Sequence, residues 1–166
     1  MNNAIRVFTF HSVEQTLVCG GAGDWKVVPE RAARCEYAIL ARNARDLRLP
    51  PGANEAHRSV FMVGKISGVV PAPDRPGRYV LRFSEYALVN VPEACGLPRN
   101  PVQYCNFESM LGIDPATLNW QPMPAGEPPI EPAATPDLAS LIWQAKAIVA
   151  SYPGVQLGMV DINIRW

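Results

Sequence analysis

The N-terminal residues 4–10, AIRVFTF, form an apolar, β-branched run suited to a strand. After a short polar-apolar stretch, glycines and an aspartate crowd into CGGAGD, which reads as a flexible turn with Trp25 at its exit. PERAARCEY, from Pro29, predicts a short helix, because proline suits the first helical position and Ala and Arg are good helix formers. YAILARN then reads as a buried strand ending at Asn43, and LPPGAN (residues 49–54) as a loop.

The clearest pattern lies in the middle of the chain. SVFMVGKISGVV (59–70) and RYVLRFSEYALVNV (78–91) are long, mostly apolar strands joined by PAPDRPG, a β-hairpin. In the second strand Tyr79, Leu81 and Phe83 alternate on one face, but the apolar set resumes out of phase at Tyr86 and Leu88. A bulge or bend near Ser84–Glu85 restores the register. Gly64 and Gly68 in the partner strand permit the strong coiling of a small barrel.

NFESMLGI predicts a short helix with Asn106 as N-cap and Gly112 as its stop, and DPATL a further turn capped by Asp114 with Pro115 behind it. Residues 121–136 hold six of the 17 prolines and read as an extended strap. Beyond it, Leu138, Leu141, Ile142, Ala145, Ile148, Val149 and Tyr152 form one apolar helical stripe. Trp143 lies on the opposite face, to be covered by the strap or by another protein. MVDINIRW closes the chain as an alternating strand. The expected fold is α+β: a small β-barrel with short helices over 1–122, a proline-rich strap over 123–136, and a C-terminal helix-strand unit over 137–166.

Composition adds limits. At 166 residues with 48% hydrophobic content, the chain suits one domain with a substantial core. Net charge is zero but uneven: residues 1–105 carry 13 Lys+Arg against 9 Asp+Glu, and residues 106–166 carry 2 against 6. A basic half could meet an anionic ligand, or be a mixed surface balanced in space by the acidic half. MNNAIRVFTF lacks a secretory apolar core, and no apolar run approaches the roughly 20 residues that span a bilayer. A cytoplasmic protein without a membrane partner is expected. Its four cysteines, none in a CxxC pair, are then reduced thiols and no structural zinc site is implied.

Catalytic signals are thin. The chain holds no HExxH, GxSxG, phosphate-binding GxxxxGK[ST] or GxGxxG motif. His11 and His57 read as solvent-facing or hydrogen-bonded residues. Cys35 or Cys105 could act as a nucleophile only if the fold brought a base beside it. A binding module is therefore favoured over an enzyme, with no cofactor and no metal. What stands out is a set of aromatic and amide side chains at strand ends and loops: Trp25, Asn43, Tyr86, Trp120 and the run RNPVQY from Arg99. Aromatic faces stack on bases, and Asn or Gln can read a base edge. Each aromatic taken singly reads better as a core residue, Trp25 included; only the set points to a pocket.

The succession GDW, helix, YAILARN, FMVGKISGVV, RFSEYALVNVP and RNPVQY resembles the PUA-like superfamily, particularly its EVE and ASCH branches, over about residues 4–122. That resemblance implies a compact barrel with helices near its mouth and a pocket for RNA or for modified bases in DNA. It carries Trp25, Asn43, Ser84 and Tyr86 into the pocket, with Arg99 and Asn100 at its rim. The expected function is non-catalytic binding of nucleic acid or a modified nucleobase. Trp25 and Tyr86 would stack, Asn43 and Asn100 would hydrogen-bond, and Arg42 and Arg99 would meet phosphate. The alternative is a protein-interaction or homodimerisation module built on Trp143 and the C-terminal unit.

Overall fold

A computed structural model of the chain describes residues 3–73, 75–95 and 100–124. The chain divides into two units, Met1–Pro128 and Pro129–Trp166, and every described residue belongs to the first. Arg99, most of the proline strap, the helix carrying Trp143 and the closing strand lie outside the described residues.

Among the described residues seven strands make one mixed sheet: β1 (Ala4–Thr9), β2 (Gly21–Trp25), β3 (Tyr37–Arg42), β4 (Val60–Pro71), β5 (Tyr79–Val91), β6 (Val102–Cys105) and β7 (Gln121–Pro122). Their order is β2-β5-β4-β3-β1-β6, and β7 pairs with β5 at Glu85 and Tyr86, past the end of the β2 pairing at Arg82. Among the described residues three short α-helices accompany the sheet: α1 (Val13–Val18), α2 (Pro29–Ala32) and α3 (Phe107–Leu111). β1 and β3 are parallel, with α1, β2 and α2 in the crossover between them.

Buried residues run almost without a break along β1, β3 and the first five positions of β4. Such runs mean that both faces of the sheet are covered. Ile5, Leu40, Met62 and Leu81 belong to one core cluster, and Ile39, Val63 and Ala87 join Phe107 and Leu111 of α3 in another. The sheet is curled into a half-barrel. β1 and β2 stand four places apart in the order, which in a flat sheet is about 19 Å. Yet Phe8 of β1 and Trp25 of β2 line one cleft of about 240 Å³.

The hairpin of β4 and β5 carries the anticipated irregularity. Lys65 pairs with Glu85 and Ile66 with Phe83, so Ser84 is the extra residue of a bulge. That insertion lets Phe83 and Tyr86, three apart, both reach the same core cluster. Gly64 is needed for packing, because a Cβ there would stand 2.5 Å from the Phe83 ring. Asn106 and Gly112 cap α3 as expected, Gly112 with φ 65°. Asp114 accepts a hydrogen bond from Ala116 N at the 3-10 turn Pro115–Thr117.

Two readings are corrected. GAGDW is not a turn but strand β2, held against β5 through Ala22–Leu81 and Trp25–Tyr79. The stretch before it contains α1, opened by a capping box in which Ser12 and Gln15 each satisfy the other's backbone N–H.

Candidate functional site

The parallel pairing of β1 and β3 sets Thr9 beside Arg42, so both strands finish at the same end of the sheet. The segments leaving the two strands therefore open into one place: Phe10 and His11 after β1, and Asn43, Asp46 and Arg48 after β3. Asn43 N donates to Thr9 O at 2.7 Å and ties the two exits together. The end of β2 adds Asp24 and Trp25, reached through a cis Gly23–Asp24 peptide bond, and the β4–β5 loop adds Arg75 and Arg78. This is the 240 Å³ cleft.

Its walls are aromatic and its rim is charged. Trp25 is half-buried: it packs against the core cluster of Leu40 and Leu81 and also lines the cleft, so it belongs to the core and to the cleft wall. Its indole Nε1 is buried without a hydrogen-bond partner among the described residues. Arg48 lies 4.1 Å over the Phe10 ring and donates to Asp46 through Nε at 2.9 Å and Nη2 at 2.8 Å. Asp24 Oδ2 pairs with Arg75 Nε at 3.0 Å, and Arg78 Nη1 donates to the Asp24 carbonyl at 2.7 Å.

Burial lowers His11 below the ordinary imidazole range, Asp24 opposes this, and Arg48 and Arg42 reinforce it. At neutral pH the ring is neutral, with one nitrogen a donor and the other an acceptor. The hydrogen bonds from Arg48 bring the Asp46 carboxyl down to about 2. A carboxyl NMR titration should therefore find the Asp46 midpoint near 2, and Arg48→Gln should raise it only part of the way to the ordinary range, because the bond from the residue-48 backbone N–H to Asp46 Oδ1 remains. Because the folded value is depressed, the pair's stabilisation is present above about pH 4 and is lost as pH falls through the folded value. With Arg48 61% exposed, water screens the pair. Its contribution to stability is therefore small.

The other predicted site residues fall elsewhere. Arg42, expected to meet phosphate, is instead fully buried: Nε and Nη2 meet Glu55 Oε2 at 3.1 and 2.9 Å, Nη1 donates to His11 O at 2.6 Å, and the guanidinium lies 4.0 Å over Phe61. It supports the cleft from behind and cannot touch a ligand phosphate. Tyr86 packs in the core and donates its hydroxyl to Gln121 Oε1 at 2.8 Å. Ser84 is the bulge residue, its carbonyl accepting from Met123 N. Neither lines the cleft. Asn100 is exposed beside Pro101 at the cleft edge, and its carbonyl accepts from Arg6. Trp120 donates to Pro115 O and lies beside Tyr37, away from the cleft. Burial raises the Cys35 thiol and pushes Cys105 up to about 11, so both are protonated and poorly nucleophilic at neutral pH.

Sequence reasoning missed His11, Asp24, Asp46, Arg48, Arg75 and Arg78 as cleft residues. No local motif marks them, because they converge only through the parallel pairing and the hairpin loop. A larger open groove of about 520 Å³ runs beside Val13, Phe61 and Leu88. Its one ionisable lining residue, Glu55, is already paired with Arg42, so it has less chemistry to offer than the cleft.

Compared with known proteins, the chain matches no protein-family model, no curated protein and no solved structure. Among the described residues no helix is long and apolar enough to cross a membrane.

Proposed function

We propose that the cleft binds a nucleobase and that the protein is a non-catalytic reader of nucleic acid or of a modified base, in the manner of the PUA-like barrels it resembles. The observation that carries this reading is the meeting of Trp25 and Asn43, 18 positions apart in the chain, in one cleft rimmed by three arginines. An aromatic face, an amide and a neutral imidazole together can stack on a base and satisfy its hydrogen-bonding edge. The volume suits one base with part of its sugar and no longer segment, which requires the base to be unstacked and favours single strands over duplex.

Titrating the full chain with single- and double-stranded oligonucleotides, with and without methylated bases, tests the proposal. Wild type should bind single strands saturably, and Trp25→Ala should weaken binding about tenfold or more, the worth of one stacked base. Because Trp25 also packs against the core, Asn43→Ala serves beside it. Among the described residues the Asn43 amide oxygen accepts only a 3.4 Å bond from Arg45 N, so its loss should spare the fold while reducing affinity. Equal affinity in wild type and Asn43→Ala, or no binding by wild type, rejects the assignment.

A further inference from the structure

We infer that the ligand enters the cleft as a nucleotide whose phosphate is received by Arg75 and Arg78, and that Asp24 is the internal carboxylate it displaces. This rests on the nucleobase reading of the cleft. Three arginines reach the rim, and their partners separate them. Arg48 is matched one to one: both its Nε and Nη2 are taken by Asp46, and its plane is fixed over Phe10. It is a neutralised wall.

Asp24, in contrast, is shared. Its Oδ2 lies 3.0 Å from Arg75 Nε, while its Oδ1 is 4.0 Å from Arg78 Nη1, beyond hydrogen-bond reach. Arg78 settles instead on the Asp24 carbonyl at 2.7 Å. Two guanidinium groups thus face one carboxylate, leaving one positive charge uncompensated among the described residues; Asp74, next to Arg75 in sequence, lies outside them. The terminal nitrogens of Arg75 donate to no described residue, and its side chain is 56% exposed. Guanidinium groups bind phosphate through paired N–H donors, and a phosphate monoester carries nearly twice the charge of the aspartate it would replace. Both arginines stand on the β4–β5 loop beside Trp25, so a base against the indole has its phosphate within the same cleft.

The experiment compares the four ribonucleosides, their 5′-monophosphates and a single-stranded oligonucleotide, with inorganic phosphate as competitor. Monophosphates should bind the wild type about tenfold tighter than nucleosides, as charge-assisted hydrogen bonds allow. Arg75→Gln with Arg78→Gln should erase the advantage of monophosphate over nucleoside, both measured on the same double variant. Asp24→Asn should widen the advantage of monophosphate over nucleoside several-fold, both measured on that variant. Inorganic phosphate should compete with monophosphates and not with nucleosides. An oligonucleotide that is bound more tightly than any monophosphate, and weakened by the same arginine changes, would identify a strand as the source of the phosphate. Equal binding of nucleosides and monophosphates, or monophosphate binding indifferent to the arginine changes, overturns the phosphate assignment and leaves the nucleobase reading standing. Failure of every nucleoside, monophosphate and oligonucleotide to bind overturns both.

Discussion

Gly21→Ala is expected to destabilise the protein by about 4 kcal/mol and to release β2 from β5. A Cβ at this position would stand 2.0 Å from the Leu81 carbonyl oxygen, and the residue's φ of 155° is one that side-chain-bearing residues rarely adopt. The obstructing atom belongs to the β5 backbone, so no rotamer change relieves the clash. The strand that must retreat carries Asp24 and Trp25, and the cleft is lost with it. Neighbouring glycines should behave differently. At Gly23 the nearest atom is a Val80 methyl at 3.1 Å, which can yield, and at Gly68 nothing lies within 4 Å. Chemical denaturation should rank Gly21→Ala far below Gly23→Ala, with Gly68→Ala close to wild type.

Glu55→Ala is expected to cost about 3 kcal/mol, because removing one partner strands a buried charge. Arg42 is fully buried and Glu55 only 31% exposed, so the lost carboxylate is not replaced by bulk water around the guanidinium. Among the described residues the cation then keeps the His11 carbonyl, the face of Phe61 and the more distant charge of Glu14. Adding Arg42→Met removes the stranded charge while keeping an apolar stem over Phe61. The double variant should therefore be more stable than Glu55→Ala alone, and denaturation of the two single variants and the double measures that coupling. A double variant no more stable than Glu55→Ala would mean that packing, not charge, holds this corner.

The strands of this fold were legible where side chains alone set them. In β5 the slip from Phe83 to Tyr86 announced the bulge at Ser84, and the unbroken apolar run in β3 announced a strand covered on both faces. GAGDW misled because Gly21 answers a close approach by the β5 backbone, not a turn; only the fold supplies that neighbour. Helix α1 did have a signal, Ser12 and Gln15 at capping-box spacing, but no apolar stripe long enough to support it. Trp25 and Asn43 could be singled out as residues at the ends of elements. Their company could not: the β1–β3 pairing and the hairpin loop bring His11, Arg48, Arg75 and Arg78 to them from distant parts of the chain. Arg42 looked like a surface cation because its partner, Glu55, stands in a loop 13 positions on.

The most direct test of the nucleobase assignment is a ¹H–¹⁵N NMR titration of the full chain with nucleoside 5′-monophosphates. It should track the Trp25 indole N–H, the Asn43 side-chain amide and the His11 imidazole. The indole N–H has no hydrogen-bond partner among the described residues, so a base seated in the cleft should move it strongly, together with Asn43 and His11. Shifts confined to the groove beside Phe61 and Leu88, or none at saturating ligand, would contradict the assignment.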